Sequence, residues 1–151
     1  MGHMLKQSTA LGVYNLVKAL FFTIEDGDRL FFQERGLTVT RFYAMWHLRE
    51  QPGQTLRDLS DRMLCDKSNV SRIVKGLERD GLIYREQHET DGRAYRLFLT
   101  GTGRATVNLV DVEHQAYNEQ RFANALSAEA YTELEQSLEQ LKGALSAKLV
   151  D

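Results

Sequence analysis

The sequence has a single cysteine, a single proline and no long hydrophobic run. Cys65 has no second cysteine with which to form an intramolecular disulfide, so we expect a reducing, cytoplasmic setting. The longest nearly unbroken apolar stretch, residues 19–24, is interrupted by Thr23 and is far shorter than the ~18 residues of a membrane-spanning helix. The sequence therefore predicts an intracellular globular protein with no membrane partner.

Neither sign of charge dominates, because 19 Lys and Arg residues stand against 21 Asp and Glu residues and give a net charge of −2. The distribution along the chain is uneven. Residues 38–100 carry 11 basic and 9 acidic side chains, whereas residues 101–151 carry 4 basic and 8 acidic ones. A mildly basic middle followed by an acidic tail favours a protein that turns one face towards a polyanion.

Sequence motifs of the common enzyme classes are also missing. The chain contains no Gly-x-Ser-x-Gly, no phosphate-binding loop and no His-Glu-x-x-His. His47, His88, His114 and Cys65 lack the close ligand-pair spacing of metal sites, and His3 belongs to a start that resembles a vector-derived extension before Met4. We therefore expect no enzymatic activity, no cofactor and no metal site.

Apolar residues recur at helical spacing in the first and last parts of the chain. Residues 8–35 predict a long helix that ends at Gly36, with a point of strain at Gly27. The helical period returns at Thr100, breaks near residues 126–127, and resumes with a leucine stripe that requires a partner helix. The stripe consists of Leu134, Leu138, Leu141, Leu145 and Leu149.

The middle of the chain has the start and stop signals of three short helices. Thr38 or Thr40 can begin the first, which the run Gln-Pro-Gly at 51–53 stops. Thr55, with an aspartate three residues later, predicts a capping-box start for the second. Asp66 is a natural N-cap for a third helix over residues 67–79, and a glycine suited to the left-handed C′ position follows it.

Two short strands follow these helices. Residues 82–85 and 95–99 change to a strand-like pattern, and Asp91-Gly92 between them is a strong turn signal. Helix, short turn, helix and hairpin in this order are the layout of a winged helix-turn-helix domain. The predicted fold class is mainly α with a small β-hairpin wing, plus a helical region at each end.

The second helix of the pair, residues 67–79, carries the candidate DNA-binding side chains. Val70, Ile73, Val74 and Leu77 bury one face, which leaves a polar and cationic face of Lys67, Ser68, Asn69, Ser71, Arg72 and Lys75. Asn and Arg make two-pronged contacts with adenine and guanine edges, whereas Ser and Lys suit phosphate oxygens.

Arginines of the hairpin extend this candidate site. Arg85 and Arg93 are expected to reach phosphates or a narrow minor groove, where negative potential favours arginine. Asp91 is expected to form the turn and to orient a nearby arginine through an ion pair.

Several of these segments also match the pattern of one known family. They are Leu37-Thr38, Thr55 to Ser60, Asp66 to Val74, Leu77 to Ile83, Asp91-Gly92-Arg93 and Leu99-Thr100-x-x-Gly103. Over roughly residues 37–109 the sequence thereby resembles the MarR (multiple antibiotic resistance regulator) transcription factors. The Asp-x-Arg wing followed at this spacing by Leu-Thr-x-x-Gly is the more specific part of the match.

The resemblance implies a homodimer that binds a double-stranded DNA operator in the nucleoid, usually as a repressor. It implies three parts: an N-terminal dimerisation helix over 4–36, a DNA-binding domain over 37–100, and C-terminal dimerisation helices over 101–151. Ser68, Asn69, Ser71 and Arg72 match the family's groove-facing residues, and Asp91 and Arg93 match its wing. In one departure from the family, this wing carries Glu86, Glu89 and Asp91 but no lysine.

Family members release DNA when a small ligand binds or a thiol is oxidised. For this chain, the resemblance makes Phe21, Trp46, His47 and Arg49 the candidate pocket residues for a small aromatic or phenolic ligand. Two other hypotheses stay open. One is a redox-sensing regulator that uses Cys65, and the other is a winged-helix protein-interaction module without specific DNA binding.

Overall fold

The computed structural model describes residues 9–87, 89–90 and 94–149, which form two compact units. The first unit ends at Asp111 and the second begins at Val112. The elements are α1 (Ala10–Gln33), α2 (Val39–Glu50), β1 (Gln54–Thr55), α3 (Leu56–Met63), α4 (Lys67–Arg79), β2 (Ile83–Gln87), β3 (Tyr95–Leu99), α5 (Gly101–Phe122) and α6 (Ala128–Ala147). The mainly helical fold with a small sheet is the predicted fold class.

Two threonine hydroxyls begin the first two helices. Thr9 accepts a hydrogen bond from the Gly12 amide at 3.0 Å, and Thr38 accepts one from the Arg41 amide at 3.2 Å. These bonds satisfy amides that would otherwise lack a partner in the first turn of a helix. α1 continues through Gly27 without a break, so the strain expected there does not interrupt the helix.

α3 and α4 begin where their caps predict. The hydroxyl of Thr55 accepts from the Asp58 amide, and the Asp58 carboxylate accepts from the Thr55 amide at 2.9 Å, which completes the capping box. The hydrogen bonds from the hydroxyl and amide of Thr55 hold the pKa of Asp58 below its usual range. Gly81, after the end of α4, has the left-handed conformation expected of it, with φ +69°.

The turn between α3 and α4 contains Leu64 in a left-handed conformation. Its φ is 50°, a value that residues other than glycine rarely adopt, and its side chain is 94% exposed. The turn therefore holds an apolar residue in a strained backbone without burying it.

The sheet has three strands in the order β1-β3-β2, all antiparallel. β2 begins one residue later than predicted and extends to Gln87, and β3 has the predicted bounds. β1 was not predicted, because two residues are too short to show an alternating pattern. The buried Gln54 of β1 donates through its side-chain amide to the carbonyls of His47 and Gln51, at 2.7 and 2.8 Å, and so ties β1 to the end of α2.

The first unit has one apolar core. Phe32 of α1 stacks on Phe42 of α2 with ring centroids 4.6 Å apart. The other large, fully buried side chains come from α2, α3, α4, the strands and the first half of α5, and they are Met45, Leu48, Leu59, Val70, Val74, Leu77, Ile83, Leu97 and Val107. This core fixes the inward face of α4 and therefore the direction of its outward face.

The junction between the hairpin and α5 is held by Thr100 and Gly103. The Thr100 hydroxyl donates to the Gly81 carbonyl at 2.7 Å and accepts from the Gly103 amide at 3.0 Å. A Cβ at Gly103 would lie 1.9 Å from the carbonyl oxygen of Leu82. The Thr-x-x-Gly motif therefore combines a helix cap with a close backbone approach that only glycine allows.

The second unit consists of the rest of α5 and of α6. Ser127 caps α6 by accepting from the Ala130 amide at 3.2 Å, and the Tyr131 hydroxyl donates to the Phe122 carbonyl. No residue of α6 is buried, so most of the predicted leucine stripe is exposed in the single chain.

The first half of α1 is likewise apolar and exposed. Its exposed large residues include Leu11, Tyr14, Leu16, Leu20, Phe21 and Phe22. Every helix among the described residues is too short or too polar to span a lipid bilayer.

Candidate nucleic-acid interface

α4 has the two faces that the sequence predicts. Val70, Val74 and Leu77 are buried and Ile73 is half-buried. On the other face Lys67, Ser68, Arg72 and Lys75 are exposed, whereas Asn69 and Ser71 are half-buried. The helix therefore exposes four of the six predicted contact residues to solvent.

The N-cap of α4 engages two of these residues. The Asp66 carboxylate accepts from the Ser68 hydroxyl, and from the Asn69 amide at 2.9 Å. These two bonds hold the pKa of Asp66 below its usual range, so the carboxylate is ionised at neutral pH. The Ser68 proton is thus donated within the protein, and its oxygen remains an acceptor.

The cationic side chains on and around α4 differ in their partners. Lys67, Arg72 and Lys75 form no ion pair within the described part of the chain. Arg79 pairs with Asp80 at 3.3 Å. Unpaired cations are the ones that can neutralise phosphates without first losing an internal partner.

Arg85 lies at one side of a cavity between α3, α4 and the sheet, where Glu78 of α4 binds it. Its Nη2 lies 2.9 Å from the Glu78 Oε2, and its Nε is buried without a hydrogen-bond partner. The cavity has a volume of about 440 Å³, and we call it the cationic cavity. The described residues that line it are Thr55, Leu56, Arg57, Lys67, Ser71, Val74, Arg85, Ala94, Tyr95 and Leu97.

Arg57 and Tyr95 in this lining were not among the predicted site residues. Arg57 is exposed near the start of α3, and Tyr95 is exposed at the start of β3. Nothing in their local sequence indicates a shared site, because only the packing of α3 and α4 on the sheet brings them together. The predicted wing residues Asp91 and Arg93 lie outside the described residues.

The four predicted ligand-pocket residues have different surroundings. Phe21 is half exposed on α1 and contacts Phe22 edge to face, with ring centroids 5.7 Å apart. Trp46 is half-buried, with its ring centroid 5.2 Å from that of His47. His47 lines a cleft of about 180 Å³ together with Tyr43, Arg62 and Cys65.

Two of the residues that line this cleft have shifted pKa values. Burial, and then the nearby Arg62 charge, lower the pKa of His47, whose Nδ1 is buried without a hydrogen-bond partner. Burial, and then the Asp28 carboxylate, raise the pKa of Tyr43. At neutral pH both residues are therefore neutral.

Arg49, the fourth candidate, is bound by neighbouring side chains. Its Nη2 lies 2.8 Å from an oxygen of Asp111 in α5, and its Nε lies 3.1 Å from an oxygen of Glu50. Its Nη1 donates to Asn108 at 3.3 Å. Arg49 thus ties the end of α2 to the first half of α5. A ligand that used this guanidinium would have to displace a carboxylate.

No group of three or more His, Cys, Asp or Glu side chains within the described residues is arranged to hold a metal ion.

Comparison with known proteins identifies relatives of the chain. The MarR family model matches residues 37–95. The uncharacterized HTH-type transcriptional regulator YkoM of Bacillus subtilis is 27% identical over 135 residues, which cover 89% of this chain and 85% of that protein. The HTH-type transcriptional regulator BilQ of Clostridium symbiosum is 32% identical over 74 residues, which span about half of each chain at 49% and 51%.

Solved structures share the fold. A MarR-like transcription regulator from Bacillus cereus superposes with a TM-score of 0.80 at 20% identity, covering 88% of this chain and 95% of that one. Streptococcus pneumoniae FabT, solved in complex with DNA, superposes with a TM-score of 0.74 at 21% identity, covering 92% and 99% of the two chains.

Proposed function

We propose that the chain, whose residues 37–95 match the MarR family model, is a winged helix-turn-helix regulator of that family and a repressor of transcription. It binds a pseudo-palindromic operator as a homodimer, and a small aromatic or phenolic ligand releases it. α4 lies in the major groove, with Asn69 and Arg72 at base edges and Lys67, Ser71 and Lys75 at phosphates.

The outward face of α4 is the observation that carries this proposal. Lys67, Arg72 and Lys75 are exposed and unpaired in the described part of the chain, above an inward face that the core holds in place. A surface that bound another protein would more often expose apolar residues at its centre. This face exposes none, which favours a nucleic acid.

Exposed apolar surface supports the homodimer. Leu16 of α1 is 70% exposed and Phe22 is 59% exposed, while Leu145 of α6 is 54% exposed. Monomeric soluble proteins rarely leave so many large apolar side chains in water, and a second copy of the chain would bury them. A two-fold axis relating two α4 helices predicts half-site centres about 10 bp apart, or a multiple of that spacing.

Selection of bound sequences from a random duplex library tests the proposal. We expect the recovered sequences to contain an inverted repeat with the predicted spacing, and the complex to contain two chains per duplex. Selection with the variant Asn69→Ala should yield sequences that share a weaker consensus, because the variant lacks a base-reading side chain. Recovery of no common sequence by the unaltered protein would contradict specific operator binding.

A further inference from the structure

The cationic cavity gathers positive charge from three separate elements. Arg57 comes from α3, Lys67 from α4 and Arg85 from β2. No aspartate or glutamate is among the described residues that line it. In a chain whose acidic residues outnumber its basic ones, this local excess of cations attracts an anion.

The rest of the lining suits a phosphate group in particular. Ser71 and Tyr95 bring hydroxyls that can donate to phosphate oxygens, and guanidinium groups bind phosphate through two parallel hydrogen bonds. Val74 and Leu97 are buried apolar residues in the wall, and apolar walls strengthen the attraction between opposite charges.

The guanidinium group of Arg57, unlike that of Arg85, is not neutralised by an ion pair among the described residues. Arg85 is bound to Glu78 at 2.9 Å, so part of its charge is already neutralised. Arg57 is exposed and forms no ion pair within 4.0 Å in the described part of the chain, although its charge acts on the neighbouring Asp58. A phosphate in the cavity therefore gains most from Arg57 and Lys67.

We propose that the cationic cavity binds one backbone phosphate of duplex DNA and that Arg57 is a phosphate-contact residue. The proposal rests on the proposed function, because a phosphate reaches this cavity when α4 lies in the major groove beside it. It adds a contact from α3, the first helix of the pair, which in helix-turn-helix domains crosses the DNA backbone.

The salt dependence of binding to a random-sequence duplex tests the contact independently of operator recognition. Each phosphate contact contributes about 0.9 to the slope of log K against log salt concentration. Because the dimer makes this contact twice, Arg57→Gln should flatten the slope by about 1.8, so the affinity lost between about 50 and 200 mM salt becomes about 12-fold smaller. The control Arg29→Gln changes an exposed arginine of α1 outside the cavity lining and should leave the slope unchanged.

Neutral phosphate analogues then locate the contact. Single methylphosphonate linkages are placed along the selected operator, and binding of the unaltered protein is compared with that of Arg57→Gln. At one position, which occurs once in each half-site, the neutral linkage should weaken DNA binding by the unaltered protein. The same linkage should not further weaken DNA binding by Arg57→Gln. Unchanged thermal unfolding would show that the variant is folded.

Two results would overturn the phosphate contact and leave the proposed function standing. One is an unchanged salt slope for Arg57→Gln. The other is that each neutral linkage weakens DNA binding by Arg57→Gln as much as it weakens binding by the unaltered protein. An unaltered protein that binds no duplex in a salt-dependent manner would overturn both.

Discussion

At the scale of single residues, variants of Arg72 and Lys75 in α4 test the proposed base reading and the proposed phosphate contact separately. Both are exposed and unpaired in the described part of the chain, so replacing either should leave the fold intact. Arg72→Ala should weaken specific binding by ~1–3 kcal/mol and relax sequence preference. Lys75→Ala should weaken binding to all sequences similarly and, because the dimer loses the contact twice, flatten the salt slope by about 2.

Fluorescence-anisotropy titrations on the selected operator and a shuffled duplex measure both effects. An equal loss on the two DNAs for Arg72→Ala would contradict its assignment as a base reader.

The left-handed Leu64 gives a prediction about stability. A left-handed backbone costs about 1–2 kcal/mol in a residue with a Cβ, whereas glycine loses about 0.5–1 kcal/mol of conformational entropy on folding. Leu64→Gly should therefore raise the free energy of unfolding by up to about 1 kcal/mol, measured by urea denaturation. Leu64→Ala retains the strain and loses almost no burial, so it should change stability by less than about 0.5 kcal/mol. A clear loss of stability in both variants would show that the leucine side chain makes a stabilising contact.

The sequence predicted the buried face of α4, but not that Arg57 lines a cavity or that Leu64 has a left-handed backbone. The inward and outward faces of α4 followed from apolar residues at helical spacing, and the buried Val70, Val74 and Leu77 confirm the inward face. Arg57 escaped prediction because its place in the cationic cavity depends on packing between elements distant in sequence. Leu64 escaped because nothing in its identity favours a left-handed backbone.

At the scale of elements, the junction of the hairpin with α5 depends on Gly103. A Cβ there would lie 1.9 Å from the Leu82 carbonyl oxygen, so backbone must move to admit it. Gly103→Ala should lower the free energy of unfolding by about 1–3 kcal/mol or more. Gly101→Ala, in the same helical turn, meets nothing within 4 Å and should raise it by about 0.4–1 kcal/mol.

Urea denaturation of the two variants measures this difference. Equal effects would show that the close approach at Gly103 does not limit stability.

Element boundaries followed the sequence wherever a side chain supplied the signal. Thr38, Thr55 and Asp66 each accept a backbone hydrogen bond three residues ahead, which is a local interaction and therefore readable from sequence. β1 exists only because it pairs with β3, about forty residues later in the chain. Pairing across that distance leaves no signal in two residues.

At the scale of the whole molecule, the single chain leaves its two long apolar surfaces in water. The leucine stripe was predicted from helical spacing to require a partner, and no residue within the described part of α6 is buried. For the exposed residues of α1, a dimerisation role was implied by the family resemblance alone. The surroundings of the four candidate pocket residues were less predictable. His47 lines a cleft with Cys65, whereas Arg49 is bound to Asp111. Aromatic and charged residues at helical spacing indicate burial, not which of them share one cavity.

The most direct test of specific operator binding is to measure how the unaltered protein binds duplex DNA from upstream of its own gene and a shuffled duplex. Fluorescence anisotropy across a salt series gives affinity, stoichiometry and selectivity together. A specific operator-binding dimer should form a tight complex of two chains per duplex that prefers the upstream DNA at every salt concentration. Equal, weak binding to both DNAs would contradict a specific operator-binding dimer and would favour a winged helix that contacts another protein.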